Sequence, residues 1–415
     1  MTATMVVSQL GARMHYAVPR ILHQSGELER LYTDACATKG WPRLLRHLPS
    51  RWQPRALRRL AGRIPVGIPP DRLTCFGGLG LSYAFSRARA RSLADETKAA
   101  LDAAHRFSDL VVRHGFGRAT GFYGIAGECR EQIQAARAAG LWTAVEQIIA
   151  PRAVIDRLVR EEEERFPHWP QTIGEDRYSE AFGNREKAEW AAADAIICPS
   201  EFVRRTVVES GGPADRCVIV PYGVDARFRA PERARHHGPL RILTVGAVGL
   251  RKGSPYVMEA ARQMAGRAVF RMIGACSLPP ALWQSAGTAV EILGAVPRAE
   301  VMQHYAWADV FLLPSICEGS ATVVYEALAA GLPVITTPNT GSVVRHGMDG
   351  FIVPIRDVQA IVQGVETLRQ APDLLADMSA SAVRRAAEYD LAGYGRRLRA
   401  VLRPQTPLTM SGAAG

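Results

Sequence analysis

Glu318 and Glu326 stand with seven residues between them in a stretch that reads VFLLPSICEGSATVVYEALAAGLPVITT from Val310 to Thr337. Two carboxylates so placed, one beside a glycine and one further on, can accept hydrogen bonds from the hydroxyls of a polyol. Upstream, Gly246-Ala247-Val248-Gly249-Leu250-Arg251-Lys252-Gly253 forms a glycine-rich turn that ends in Lys-Gly. In such a turn the backbone can approach a phosphate closely while a lysine supplies the balancing charge. Carboxylates for hydroxyls and a cationic turn for phosphate together describe the needs of a sugar nucleotide.

The flanking residues predict the elements that hold these groups. Val310 to Leu313 is a short apolar run stopped by Pro314-Ser315, which predicts a buried strand ending in a loop. Val323, Val324, Ala327 and Leu328 recur at helical spacing, with Ser320 as the expected N-cap and Gly331 and Pro333 as the stop. Val334 to Thr336 is a second β-branched run, so the segment predicts a right-handed strand–helix–strand crossover in a parallel sheet. Ligands bind at the carboxyl edge of such sheets. That edge receives Glu318, Gly319 and Ser320 together with the free N–H groups of the helix start.

These residues resemble the E-x7-E signature of the retaining GT-B glycosyltransferases of family 4 (glycosyl transferases group 1), written around E-G-F-G and E-A-x-A-x-G-x-P-V. The chain has Glu318-Gly319-Ser320-Ala321, then Glu326-Ala327-Leu328-Ala329-Ala330-Gly331-Leu332-Pro333-Val334. The resemblance implies an α/β fold of the GT-B type: two Rossmann-like domains facing each other across a cleft, with a C-terminal helix returning to the first domain. It also implies a retaining, metal-independent transferase that moves a sugar from a nucleotide diphosphate sugar, such as a UDP-sugar, to a hydroxyl acceptor. The implied acceptor is a glycan or a lipid-linked intermediate of cell-envelope or extracellular polysaccharide biosynthesis. No cofactor and no metal are expected, and the sequence has no D-x-D motif.

Residue roles follow from the same resemblance. Glu318 is the expected catalytic carboxylate at the sugar, and Glu326 is expected to grip the ribose. Lys252, Arg251 and the amides of Gly319, Ser320, Ala321 and Thr322 are expected around the donor diphosphate. Val296, in Gly294-Ala295-Val296-Pro297, is expected beside the base. Relatives carry a double-glycine loop after the first strand, where this chain has only Gly11, so Gly11, Arg13 and His15 form the expected acceptor or phosphate loop. His114, read as following a strand end at Leu110 to Val112, is the expected catalytic histidine of the first domain. Ala247 replaces an arginine that many relatives have, and Ser320-Ala321 replaces F-G. Those departures keep a catalytically silent sugar-nucleotide binder as an alternative, beside a GT-B nucleotide-sugar epimerase.

The 415 residues, 47% of them hydrophobic, suffice for two cores. The expected division is a first Rossmann-like domain at 1–235, a donor domain at 236–388, a returning helix at 389–403 and a tail at 404–415. REKAEWAAADAIICPS, ending at Ser200, and QHYAWADVFLLPS, ending at Ser315, repeat one helix-to-strand unit, which predicts two similar α/β domains. Between them VIVPYGVDARF resembles the family's inter-domain passage, with Arg229 to Gly238 as the expected hinge.

A net charge of +11 favours an anionic partner, and no recognition motif supports nucleic acid. From Trp41 to Arg63 seven arginines interleave with leucines and tryptophans, broken by Pro42, Pro49 and Pro54. This basic stretch could dock on an anionic membrane surface. With no membrane-spanning run and no secretory layout, the expected location is the cytoplasm; the basic stretch reads either as a contact with the inner face of the cell membrane or as a solvated excursion of the first domain. The seven scattered cysteines are expected to be reduced and structural. Glu161 to Glu164 is expected to be a solvated helix face, and Gly77-Gly78-Leu79-Gly80 a loop without the strand-then-helix setting of a dinucleotide fingerprint.

Overall fold

The computed structural model describes residues 3–40, 42–43, 57, 60–170, 176–225, 228, 236, 238–279, 282 and 289–402. Most of the arginine-rich stretch Trp41 to Arg63, most of the hinge Arg229 to Gly238 and all of the tail 404–415 lie outside them.

Among the described residues, short runs of aliphatic and β-branched residues form thirteen parallel strands in two sheets. The first sheet contains β1 (Met5–Ser8), β2 (Leu28–Thr33), β3 (Leu73–Cys75), β4 (Gly121–Ile125), β5 (Trp142–Glu146), β6 (Ala195–Cys198) and β7 (Cys217–Ile219), in the order β3-β2-β1-β4-β5-β6-β7. The second contains β8 (Leu240–Val245), β9 (Ala268–Ile273), β10 (Val290–Gly294), β11 (Val310–Leu313), β12 (Val334–Thr336) and β13 (Gly350–Ile352), in the order β10-β9-β8-β11-β12-β13. Central strands such as β1, β4, β6 and β11 are buried along their whole length, as expected where helices cover both faces of a parallel sheet. In each sheet the order in which successive strands are added reverses once, between β1 and β4 and between β8 and β11. Ligand crevices of doubly wound folds open at such points.

The repeated helix-to-strand unit is real in atomic detail. Helix Ser179–Ala192 leads into β6, and helix Arg298–Trp307 leads into β11. The backbone N–H of Asp194 donates to the Thr143 carbonyl at 2.9 Å, while its carboxylate accepts from the Thr143 N–H at 2.8 Å. Asp309 repeats both bonds with Arg241, at 2.8 and 2.9 Å. Each aspartate ties the start of its strand to a neighbouring strand.

The expected C-terminal helix spans Leu391–Leu402 and packs on the first domain. Gly395 leaves room for Ile21, and Arg399 makes two bonds to Glu27, at 2.6 and 2.7 Å. No helix among the described residues is long and apolar enough to cross a membrane. All seven cysteines are free thiols.

Four local expectations need correction. Leu110 to Val112 belong to helix Leu93–His114, not to a strand; Ala103, Phe107 and Val111 are its buried stripe, at four-residue spacing. Gly77-Gly78-Leu79-Gly80 is not a loop but the first turn of helix Gly77–Arg89, directly after β3, so a strand-then-helix setting does exist. A side chain on Gly80 would press on Ala35, whose Cβ lies 2.9 Å from the site a Cβ would occupy. Ser320 does not cap the helix Thr322–Ala329: Ala321 holds the N-cap position, and the Ser320 hydroxyl pairs with Tyr325 at 2.8 Å.

The fourth correction concerns Glu161 to Glu164. Glu162 is fully buried and Glu163 nearly so, because helix Arg152–Arg165 packs against the second domain. Arg356 donates to Glu162 at 2.5 Å and to Glu161 at 2.7 Å, and the Tyr256 hydroxyl donates to Glu162 at 2.6 Å. Arg356 does so from a left-handed backbone conformation, with φ of 68°.

Candidate active site

At the β8/β11 switch point the glycine-rich turn folds onto the loop that leaves β11. Gly253 has φ of 71°, and a side chain there would strike the Pro314 carbonyl. The Ile316 N–H donates to the Arg251 carbonyl at 2.9 Å, which fixes the two loops side by side. Arg251 Nη1 and Lys252 Nζ then both lie 2.7 Å from one oxygen of Glu318, Oε1. That buried oxygen has no aligned hydrogen bond among the described residues, so the pairing is a contact of charges. Burial pushes the Lys252 ammonium below its usual pKa, and Glu318 pulls it back up.

Gly319 faces the other domain. A side chain at this position would collide with the Ile148 carbonyl, and the Ser200 hydroxyl donates to the Gly319 carbonyl at 2.6 Å. Ser320 and Ala321 carry the chain into helix Thr322–Ala329, whose second turn presents Glu326. The Tyr305 hydroxyl donates to Glu326 Oε2 at 3.0 Å, and Arg298 Nη2 lies 3.5 Å from Oε1. Burial raises the Glu326 pKa, while Arg298 and Tyr305 oppose the shift. Val296 sits in the turn between β10 and helix Arg298–Trp307, half-buried against the core.

The loop after β1 supplies the facing wall. Gly11 has φ of 76°, and Met14, His15 and Tyr16 follow with φ of 44°, 52° and 59°. Three consecutive non-glycine residues in the left-handed region are strained, by about 1 to 3 kcal/mol each, and must be held by their surroundings. Glu128, just beyond β4, accepts the Leu10 N–H on Oε2 at 2.9 Å and Arg13 Nη2 on Oε1 at 2.7 Å. Asp34 accepts the Gly11 N–H at 2.9 Å and Arg63 at 2.8 Å. Thus Arg13 turns into the first domain, where it lines a cavity of about 230 Å³ with Tyr83, Glu128, Ile148 and Phe182. His15 turns the other way. Its Nε2 lies 3.2 Å from Arg298 Nη1, and both line an inter-domain cavity of about 610 Å³ with Arg20, Thr322 and Glu326. Burial, then Arg298 and Arg20, push the His15 imidazole below its ordinary pKa.

The structure therefore gathers Glu318, Lys252 and Arg251 into one cluster, and Glu326 and His15 into a second. His114 joins neither. It ends a helix that feeds the beginning of β4, and its ring rests against Tyr32 and Phe76 at centroid distances of 6.2 and 5.3 Å. The strand that does end at the first switch point is β4, and Ala126-Gly127-Glu128 follow it. Glu128 could have been found from the apolar run FYGI followed by a glycine and a carboxylate. Arg298 carried no sequence signal beyond its place after Val296-Pro297.

Residues 239–371 match the family model of glycosyl transferases group 1. The chain is 29% identical over 188 residues to the amylovoran biosynthesis glycosyltransferase AmsK of Erwinia amylovora, covering 41% of this chain and 46% of that protein. It is 30% identical over 217 residues to the putative colanic acid biosynthesis glycosyltransferase WcaL of Escherichia coli K12, covering 47% of this chain and 52% of that one. The chain thus spans about half the length of these curated relatives. The fold is GT-B: the crystal structure of Anabaena HepE in complex with UDP superposes with a TM-score of 0.58 at 15% identity, covering 97% of this chain and 99% of that one.

Proposed function

We propose that this protein is a retaining, metal-independent glycosyltransferase that transfers a sugar from a nucleotide diphosphate sugar to a hydroxyl acceptor. The observation that carries this is the convergence of Lys252 and Arg251 on a single oxygen of Glu318, at the switch point of the domain that matches the family. Two cations share one carboxylate oxygen there. A diphosphate entering the cleft offers them more charge than Glu318 does, and Glu318 is then free to accept sugar hydroxyls. In the transition state Lys252, Arg251 and the amides from Gly319 to Thr322 stabilise charge growing on the departing phosphate. Glu326 grips the ribose, and Val296 borders the base.

Retention follows if the acceptor hydroxyl attacks from the face that the diphosphate leaves. The bond from the anomeric carbon to the phosphate oxygen breaks, the acceptor oxygen bonds to the same carbon, and the departing phosphate takes the acceptor proton. HepE is solved with UDP, and AmsK and WcaL are named for polysaccharide biosynthesis. By that likeness the donor is a UDP-sugar and the acceptor a glycan or lipid-linked intermediate of extracellular polysaccharide. The arginine-rich stretch Trp41 to Arg63 would dock the enzyme on anionic membrane, a role that salt-independent binding to neutral and anionic vesicles alike would exclude.

The test is to incubate the protein with UDP-sugars and glycan acceptors and to follow the first product by proton NMR. The donor's anomeric configuration should be kept in the product. An inverted centre would overturn the retaining assignment, and binding without turnover across the panel would overturn the enzymatic one.

A further inference from the structure

The cavity of about 610 Å³ between the domains is walled by His15 and Arg20 from the first domain, Arg298 and Glu326 from the second, and Asp225 from the passage between them. Arg298 stands out in this lining. It opens helix Arg298–Trp307, its side chain is 74% exposed, and its guanidinium bridges the domains, 3.2 Å from His15 Nε2 and 3.5 Å from Glu326 Oε1. Neither contact holds it strongly. An imidazole that accepts from a guanidinium is neutral, and 3.5 Å is the outer limit of a hydrogen bond. Glu326 has a firmer partner in Tyr305, at 3.0 Å. Across the same cavity Arg20 Nε is buried without a hydrogen-bond partner among the described residues.

A guanidinium carries five donors in a planar fork suited to phosphate, and among the described residues Arg298 engages only these two partners. When a ribose hydroxyl engages Glu326, Arg298 loses its share of the carboxylate it contacts. The anion available in the same ligand is the diphosphate. We propose that Arg298 is a donor-recognition residue, released from Glu326 by the ribose and taken up by the diphosphate, so that it binds the donor in addition to Lys252. This rests on the donor assignment made above and adds to it a third cation, with a handover from Glu326. His15 marks the place on the first domain that Arg298 meets.

The experiment is calorimetric titration of the full chain with UDP and GDP, and, by competition, with uridine and guanosine, for wild type, Arg298→Ala and Arg298→Lys. Arg298→Ala should weaken the better diphosphate by about tenfold or more while leaving its nucleoside within about twofold, and Arg298→Lys should recover part of the loss. Because the side chain is exposed, the melting temperature should stay at the wild-type value. Equal diphosphate affinity in wild type and Arg298→Ala overturns the inference while leaving the donor assignment standing. An equal loss for diphosphate and nucleoside also overturns it, since Arg298 would then serve the ribose or base. Failure of wild type to bind either diphosphate overturns the donor assignment and this inference together.

Discussion

At the β1/β4 switch point Glu128 takes one partner on each oxygen, the Leu10 N–H at 2.9 Å and Arg13 at 2.7 Å. At the β8/β11 switch point Arg251 and Lys252 crowd onto one oxygen of Glu318, at 2.7 Å each, without aligned hydrogen bonds. Both pair a cation from the loop after one central strand with a carboxylate from the loop after the other. In the first arrangement each carboxylate oxygen has its own aligned partner, and a strained loop is pinned by it. The second holds more positive charge than its carboxylate can satisfy. The same arrangement thus leaves one pair satisfied and the other with cationic charge to spare, which is what the ligand site proposed there requires.

Removing charge from the second switch point should have the largest effect. Lys252→Ala should lower turnover by about 2 to 4 kcal/mol in activation free energy, the scale of losing a preorganised electrostatic donor. Arg251→Ala should do less, because its side chain is more exposed than that of Lys252. Steady-state kinetics of both variants would show the order, and a reversal would assign the main phosphate contact to Arg251. The two glutamates should separate next. Glu318→Gln should cut kcat strongly with a modest change in donor affinity, whereas Glu326→Gln should mainly raise KM for the donor. Matching kinetic profiles for the two variants would erase the distinction between sugar and ribose carboxylates.

The first switch point should answer in stability instead. Glu128→Gln leaves Arg13 without its carboxylate and should lower unfolding free energy by about 1 to 3 kcal/mol in a denaturant titration. A smaller effect is expected from pH. Glu186 is buried beside that loop cluster, accepting from Gln147 and the Arg152 N–H at 2.9 Å each. Burial pushes its pKa from 4.5 up to about 7. The folded protein therefore keeps this proton where the unfolded chain has released it. The resulting stabilisation is full below 4.5, falls as pH rises towards about 7 and is gone above that. Glu186→Gln should flatten that slope in a melting series across this window, with donor affinity unchanged; an unaltered slope would place the titration elsewhere.

The segment from Val310 to Thr337 was legible because its strand, loop, helix and second strand are contiguous, so local periodicity places Glu318 and Glu326 without knowledge of the rest of the chain. The glycine-rich turn was legible for the same reason. What local pattern could not carry was long-range. Glu162 looks like one of four solvated glutamates until Arg356 and Tyr256 arrive from the other domain. Leu110 to Val112 looks like a strand end because three apolar residues in a row suit a buried strand as well as one turn of a helix. Arg298 reaches His15 across 283 residues of sequence, a pairing no spacing rule encodes.

The most direct measurement compares the affinity of UDP for wild type, Lys252→Ala and Glu128→Gln by isothermal titration calorimetry. The expected result is a loss of tenfold or more for Lys252→Ala, about 1.4 kcal/mol, and an affinity within about threefold of wild type for Glu128→Gln. Wild-type affinity in Lys252→Ala, or an equal loss in both variants, would contradict a ligand site at the second switch point and a structural clamp at the first.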